Sequence, residues 1–532
     1  MLKGMFTGIS KINAFTWRRE RINVPVWILS LLSLTFFVAL TFPHIYPAEQ
    51  RQVLAETMKN PAITAMFGIG YGLDNYHYGA IMGHQMSLFT ALGAAIMSIL
   101  LVNRHTRGDE EEGRTEVVGS CPVGRLSGLG ATLAVACAAN ILLALATGIG
   151  LYALGLEGID LPGSLLYGAL IGVTGIFFAA STALFAQITA TPRGTLSFSF
   201  AYLGISYLLR AIGDVSSETL SMLSPLGWVL RSQVYVNNYW WPIFLTLGAA
   251  ILVGALAFYL NSMRDMGAGF IHARRGRTHA PASLRSPLGL GLRLQRGVFI
   301  AWAIGMYVLG ASYGSVLGDI DAFFTDNEMM LKMIPGGPAA LSEQYIAMIM
   351  AALALMSTIP ALFMILKIRD EEKKNRAEHL LVRAVPRPAI MLSFLGISVV
   401  TGFAVLMLGA TGLWSAGLAV LDEPLAFGPI FSAVLAYYPA ILGLIGLAAV
   451  LVGVAPKAAS LIWYYLGYTF ITAYFGNLLQ LPEWMRKLTP FGFVPQVPVE
   501  SMGPVAATGL TAVALGLMAI GVIEYSKRDM VN

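Results

Sequence analysis

The sequence is divided into apolar runs, each about as long as a helix must be to cross a bilayer. About 20 apolar residues span about 30 Å of hydrocarbon. Such runs lie near residues 23–43, 79–102, 128–151, 163–187, 195–213 and 240–261, and again near 298–317, 342–366, 389–413, 426–453, 457–477 and 504–524. Hydrocarbon offers no water to a backbone N–H or C=O, so each run must satisfy its own hydrogen bonds as a helix. Only 12% of the 532 residues are charged, against about 25% in soluble domains, too few to cover a water-facing surface of this size. The fold expected is all-α, a polytopic membrane protein with twelve transmembrane helices. The first run, Asn23–Phe42, is long enough to span, and His44-Ile45-Tyr46-Pro47 offers no small-residue cleavage site. It reads as a retained helix and not as a signal peptide.

The runs fall into two sets of six, and local motifs repeat with them. Arg114-Thr115-Glu116 returns as Arg376-Ala377-Glu378, and Tyr202-Leu203-Gly204 as Tyr465-Leu466-Gly467. Ser224-Pro225-Leu226-Gly227-Trp228-Val229 returns as Thr489-Pro490-Phe491-Gly492-Phe493-Val494, and Arg264-Asp265-Met266 as Arg528-Asp529-Met530. The spacing is nearly constant, which marks a duplicated unit. Six spans per copy is an even number, so the repeats are expected to be parallel, with a pseudo-two-fold axis along the membrane normal. The seam between copies is a natural substrate path. The organisation expected is a first half at 1–263, a linker and second connecting helix at 264–297, and a second half at 298–532. The linker holds Arg274-Arg275-Gly276-Arg277 and Pro281. With the N-terminus in the cytoplasm, 27 of the 34 Lys and Arg residues fall in inner segments, the bias that orients membrane proteins. Both termini are therefore expected inside the cell membrane. The net charge of +5 reads as this topology signal, and no nucleic-acid partner is expected.

Two charged segments carry the most information. After the second span comes Arg107-Gly108-Asp109-Glu110-Glu111-Glu112-Gly113-Arg114-Thr115-Glu116, then Pro122-Val123-Gly124-Arg125. After the eighth comes Arg369-Asp370-Glu371-Glu372-Lys373-Lys374-Asn375-Arg376-Ala377-Glu378, then Val385-Pro386-Arg387. A loop that only sets topology needs net charge, whereas here the acidic residues, the Arg-x-Glu and the trailing Arg keep their spacing. A rigid charged elbow of this kind suits docking on another protein. At the N-terminus, Phe6, Ile9, Ile12 and Phe15 recur every third residue among Lys11, Arg18, Arg19 and Arg21, as in an amphipathic helix on the inner leaflet.

Residues 214–239 and 477–503 are too short to span and too apolar for free loops, so they read as short outer helices or re-entrant pieces. Trp228, Tyr235, Tyr239, Trp240, Trp241 and Trp484 there fit an interfacial aromatic belt. Arg210 and Asp214 share a helix face. They form either an interfacial pair reaching outward or a functional intramembrane pair, with Ala473 and Asn477 in their place in the second copy. His84 and Gln85 either line a pathway or bridge helices. Glu49, Glu56 and Asp74 read as solvated. Cys121 and Cys137 are too differently placed to pair.

The segment Glu110–Glu116 with Pro122-Val123-Gly124-Arg125 resembles the coupling segment of ABC-2 type exporter permeases, which joins spans two and three and docks on an ATPase. Arg19-Glu20-Arg21 through Pro25-Val26-Trp27, Leu292-Arg293-Leu294-Gln295-Arg296-Gly297 and Ser224–Trp228 support the resemblance, which covers nearly the whole chain. The fused two-copy form is similar to the polyketide antibiotic exporter permeases. The resemblance implies two parallel six-helix repeats (ABC-2/type V exporter-like), each with a connecting helix, a coupling helix and outer helices. It implies docking through Arg107, Glu110, Glu111, Glu112, Gly113, Arg114, Glu116 and Arg125, and through Arg369, Glu371, Glu372, Arg376, Glu378 and Arg387. It further implies a separate ATPase subunit, two copies per permease, that binds ATP and Mg, with no cofactor held by this chain. The cargo would be hydrophobic or amphipathic, such as an antibiotic. Met82, Phe89, Phe198, Tyr202, Tyr345, Tyr468 and Phe470 are candidates to line its path. In the second copy Lys373, Lys374, Asn375 and Ala384 depart from the pattern, which points to unequal docking.

The sequence contains no G-x-x-x-x-G-K-[ST], H-E-x-x-H or G-x-S-x-G motif. Neither an ATPase site of its own nor an enzyme is expected. The main rival is an ion-gradient-driven secondary transporter, which shares the six-plus-six architecture. A membrane enzyme would have to use the compact cluster Arg210, Asp214 and Glu218.

Overall fold

The computed structural model describes residues 2–47, 51–59, 61–265, 267–271, 278–319, 338–373, 376, 378, 382, 385–421, 425–474, 482–500 and 502–528. Among these every regular element is helical, and 11 helices are long and apolar enough to cross a membrane. The chain divides into two compact units, Met1–Arg275 and Gly276–Asn532.

In the first unit a short helix, α1 (Ile9–Glu20), precedes six long ones: α2 (Asn23–Ile45), α3 (Tyr78–Asn103), α4 (Ser127–Ala153), α5 (Leu161–Ile188), α6 (Pro192–Ser216) and α7 (Trp241–Met263). Their starts are written locally. Asp160 caps α5 by accepting from Gly163 N at 2.9 Å, and Thr191 caps α6 by accepting from Gly194 N at 3.1 Å. Each is followed by proline in the first turn, where the missing N–H costs nothing. The core centres on α5, which is buried along most of its length. α5 meets α4 backbone to backbone: a methyl on Gly168 would lie 2.1 Å from Ala144 O, and one on Gly148 2.9 Å from Ser164 O. Small residues permit this approach where lipid supplies no hydrophobic drive.

The second unit contains α8 (Pro287–Ser315), α9 (Pro338–Lys373), α10 (Arg387–Val420), α11 (Phe427–Val454), α12 (Leu461–Tyr474) and α13 (Pro504–Lys527). The run expected near 457–477 appears as α12, with 14 residues. Residues 475–481 after it, including Asn477, lie outside the described ones. This is why 11 spans and not twelve meet the length criterion. The tight seams also move: a methyl on Gly310 of α8 would lie 1.9 Å from Gly409 O of α10, and one on Gly412 2.2 Å from Tyr307 O. The core of this unit joins α9, α10 and α11.

Short helices occupy the segments read as outer pieces: Glu218–Ser221, Pro225–Leu230, Glu483–Lys487 and the 3₁₀ turn Pro490–Phe493. Trp240, Trp241, Tyr239 and Trp484 are exposed. Tyr235 departs from the belt. It is buried, its hydroxyl 3.1 Å from Ser164 Oγ and its ring stacked on Tyr167. The second connecting segment, Leu292–Arg296, is not a separate helix but the first part of α8. Of the linker residues, 272–277 lie outside the described ones, as do Glu49, Met266, Lys374, Asn375, Ala377, Ala384, Asp529 and Met530.

Candidate functional site

The elbow of the first unit begins where the apolar part of α3 ends. The helix passes through a π turn, Arg104–Gly108, and one more α turn, Asp109–Glu111. A π turn re-aims the side chains beyond it. Gly113 then reverses the chain with φ 72°, and a short helix follows at Arg114–Gly119. The left-handed conformation is the reason for glycine at this position.

Three layers of charge hold the elbow. Innermost, Arg107 is 1% exposed. Its Nε donates to Ala186 O at 2.5 Å and its Nη2 to Ala268 O at 2.8 Å, while Nη1 pairs with Glu110 at 2.6 Å. Arg264, just past α7, pairs with the other oxygen of Glu110 at 2.5 Å, and Arg125 donates to the Arg264 carbonyl. Burial beside Arg264 pulls the Arg107 pKa down to about 10, so the guanidinium stays charged at neutral pH. The sequence placed Arg107, Glu110 and Arg125 on a docking surface. The structure puts Arg107 and Glu110 inside, tying the elbow to the ends of α5 and α7.

The middle layer ties the elbow to α1. Arg19 grips Asp109 with two bonds of 2.6 and 2.8 Å. Glu20, buried, accepts from Arg104 at 2.9 Å and from His105 Nε2 at 2.7 Å. His105 Nδ1 lies 3.4 Å from Asp109. Burial alone would raise the Glu20 pKa, but the bonds from His105 and Arg104 outweigh it and bring it to about 2. The His105 pKa is raised: burial opposes its charge, but Asp109 and Glu20 more than compensate. Nothing in the spacing of Arg19-Glu20 announced this clamp beyond the basic helix around it.

The outer layer faces solvent. Arg114 pairs with Asp109 at 3.0 Å and with Glu112. Glu111 and Glu116 are exposed and have no side-chain partner among the described residues, and Val117 beside them is 72% exposed. An acidic rim around an exposed valine is what this elbow presents outward.

The second unit repeats part of this wiring. Glu372 pairs with Arg528 at 2.7 Å and Arg387 donates to the Arg528 carbonyl at 2.6 Å, as Glu110, Arg264 and Arg125 do. Arg369 donates to Lys457 O at 3.3 Å, in the place of Arg107 on Ala186. Lys367 and Arg376 lie 3.2 and 3.7 Å from Glu371, in the places of His105 and Arg114 around Asp109. Glu378 is exposed like Glu116. Among the described residues the α1 layer has no counterpart. Gln295 stands where Glu20 would, 4% exposed, and neither its Oε1 nor its Nε2 finds a partner.

The residues read as lining a substrate path are scattered. Met82 is buried in the core of its unit. Tyr202 packs among Phe177, Phe178 and Phe185, and Phe198 beside Phe185. Phe89 contacts Phe67. Tyr345 donates to Tyr313 O at 3.2 Å and Tyr468 to Met485 O at 2.9 Å. Phe89, Phe198 and Phe470 are exposed on their own units. His84 bridges Tyr76 (2.8 Å) and Gly68 O (3.1 Å), and Gln85 Nε2 lies 3.8 Å from Met58 Sδ. Arg210 and Asp214 turn inward and do not reach out to the interface. Glu56 pairs with Lys59 on the surface and Asp74 is exposed.

A helical membrane bundle with a charged elbow in each of two units defines a polytopic membrane protein. The family described as "Multidrug efflux system permease Rv1217c, C-terminal domain" matches residues 9–260 and 284–526, one stretch in each compact unit. The multidrug efflux system permease protein Rv1217c of Mycobacterium tuberculosis (strain ATCC 25618 / H37Rv) is 33% identical over 536 residues, covering 99% of this chain and 96% of that protein. The chain belongs to this family of multidrug efflux permeases. It is a multi-pass membrane protein and a transport component.

Proposed function

We propose that the chain is the permease subunit of an ATP-driven exporter of the ABC-2 type, whose elbows dock on a separate ATPase. The observation that carries this reading is the duplicated elbow. Each has its inner charges consumed in bonds to the neighbouring helices and its outer carboxylates left facing solvent. A rigid lever with an unpaired acidic rim transmits movement from a partner into the bundle. The partner, two copies per permease, binds ATP and Mg, and this chain binds neither. ATP must then favour two states of the complex unequally to drive transport. The cargo is a hydrophobic or amphipathic compound, in line with the multidrug description of the relative, and polyketide antibiotics are one such class. Both termini face the cytoplasm, as the Lys and Arg bias supports.

Co-purification tests this. The tagged chain, extracted in detergent, is expected to bring an ATPase with it, and charge reversal at the rim (Glu111→Lys with Glu116→Lys) to release it. If the chain purifies alone and drives transport on a proton or sodium gradient, it is a secondary transporter and the proposal fails.

A further inference from the structure

At the end of the first unit opposite the elbow lies a cavity of about 110 Å³, walled by Phe67, Gly68, Tyr71, His84, Asp214, Leu230, Arg231 and Gln233 among others. Its charges are unevenly satisfied. Asp214 is compensated on both oxygens: Oδ1 accepts from Ser221 Oγ at 2.6 Å, and Oδ2 lies 3.5 Å from Arg210 Nη1. Arg210, 0% exposed, stands behind it against the ring of Tyr207. Both ring nitrogens of His84 are already engaged. Arg210 Nε and Nη1 also lack a hydrogen-bond partner, but Arg210 is not on the cavity wall, and Arg231 is. Arg231 pairs through Nη1 with Glu218, whose side chain is 73% exposed, while its Nε and Nη2 are buried and have no partner.

Nε and Nη2 are the two nitrogens on one side of a guanidinium. Together they form the fork that receives both oxygens of a carboxylate. An unpartnered buried fork costs stability, and here it belongs to a residue that lines a cavity. The buried charge count agrees: Arg210 and Arg231 stand against Asp214 alone, since Glu218 is largely in solvent. The wall that carries Arg231 is also unusual in its backbone. Gln233, Tyr235 and Asn238 all have positive φ, 43°, 64° and 51°, a conformation that non-glycine residues hold only where the surroundings impose it. The second unit has no such site. Ala473 and Gln496 replace Arg210 and Arg231.

We propose that this cavity is a carboxylate-binding site, found once among the described residues, in which the Nε and Nη2 fork of Arg231 receives the anionic group of a small ligand. Gln233 and Tyr71 shape the chamber around it. The site is independent of the ATPase reading, since it lies in the permease bundle and needs no partner.

The test uses the purified full-length chain and acetate as probe, read as thermal stabilisation at constant ionic strength, with acetamide as the neutral isostere. Saturable stabilisation by acetate and none by acetamide are expected. Arg231→Gln should weaken acetate binding about tenfold or more, the cost of a charge-assisted pair of bonds. Arg231→Lys, which keeps the charge but not the fork, should fall between and guards against misfolding of the glutamine variant. Equal effects of acetate and acetamide, or acetate binding unchanged in both variants, would overturn the proposal.

Discussion

In Met1–Arg275, α1 stops at Glu20 and α2 restarts at Asn23, whereas in Gly276–Asn532 the corresponding chain runs unbroken through α8 from Pro287 to Ser315. The break lets α1 lie against the elbow, so that Arg19 and Glu20 reach Asp109, Arg104 and His105. The unbroken helix carries Leu294 and Gln295 in those places, and neither delivers a charge. The helix seams differ in the same sense: glycines bring α4 against α5 in the first unit but α8 against α10 in the second. A duplicated unit has therefore kept the bonds between its elbow and its last helix and changed how its first helix is attached. The first elbow is held from two sides and the second from one.

The largest effect expected from this comparison is at the innermost arginines. Arg107→Ala strips a buried ion pair and the bonds to the Ala186 and Ala268 carbonyls, of which Ala268 O keeps the bond from Arg264 Nη1 at 2.7 Å. Breaking such a pair costs about 3–5 kcal/mol. Arg369→Ala removes one long hydrogen bond, worth about 1 kcal/mol. Thermal unfolding of the two purified variants measures the difference, and equal losses would mean the elbows are held alike.

The spans were legible because hydrophobic length is a local property. The repeat was legible because its motifs sit at turns and helix ends, where residue type is tightly constrained. The docking residues were legible as a segment but not in their roles. Arg107 and Glu110 look like their exposed neighbours in sequence, and only the fold brings Arg107 to a carbonyl 161 positions away. Gln295 gave no signal at all. An amide in a basic stretch is unremarked until burial shows that it has nothing to bond to.

Exchanging the α1 layer sharpens the comparison. Glu20→Gln, which copies the second unit into the first, removes an anion that takes two charge-assisted bonds, a loss of about 1.5–3 kcal/mol. Gln295→Leu removes two unsatisfied buried polar groups and is expected to stabilise by about 1 kcal/mol. If Gln295→Leu destabilises instead, its amide has a partner and the second elbow is not open on that side.

The two elbows should also answer pH differently. His105 has its pKa raised above 6.5, so its stabilising charge is fully present below 6.5 and is lost as pH rises through the raised value. In the second elbow Lys367 stands in the corresponding place, 3.2 Å from Glu371. The melting temperature of the chain is expected to fall as pH rises from 6 to 9, and His105→Lys to flatten that slope. At the acid end, Glu20, with its pKa near 2 against an ordinary 4.5, gives up its contribution only as pH falls from about 4.5 towards 2. A slope between pH 6 and 9 that survives His105→Lys would place the titrating group elsewhere.

A further expected effect concerns the reversal of the chain at Gly113. Its φ of 72° strains any residue with a Cβ, although nothing lies within 4 Å of where that Cβ would go. Gly113→Ala should therefore cost about 1–2 kcal/mol through backbone conformation alone. The second copy carries Asn375 at this place in the repeat, and asparagine is the side chain that tolerates the left-handed region best after glycine. Gly113→Asn should cost less than Gly113→Ala, although asparagine is the larger residue. That ordering separates a backbone requirement from a packing one. If alanine is the milder change, the turn at Gly113 is set by space and not by conformation, and the asparagine of the second copy is not a substitute for it.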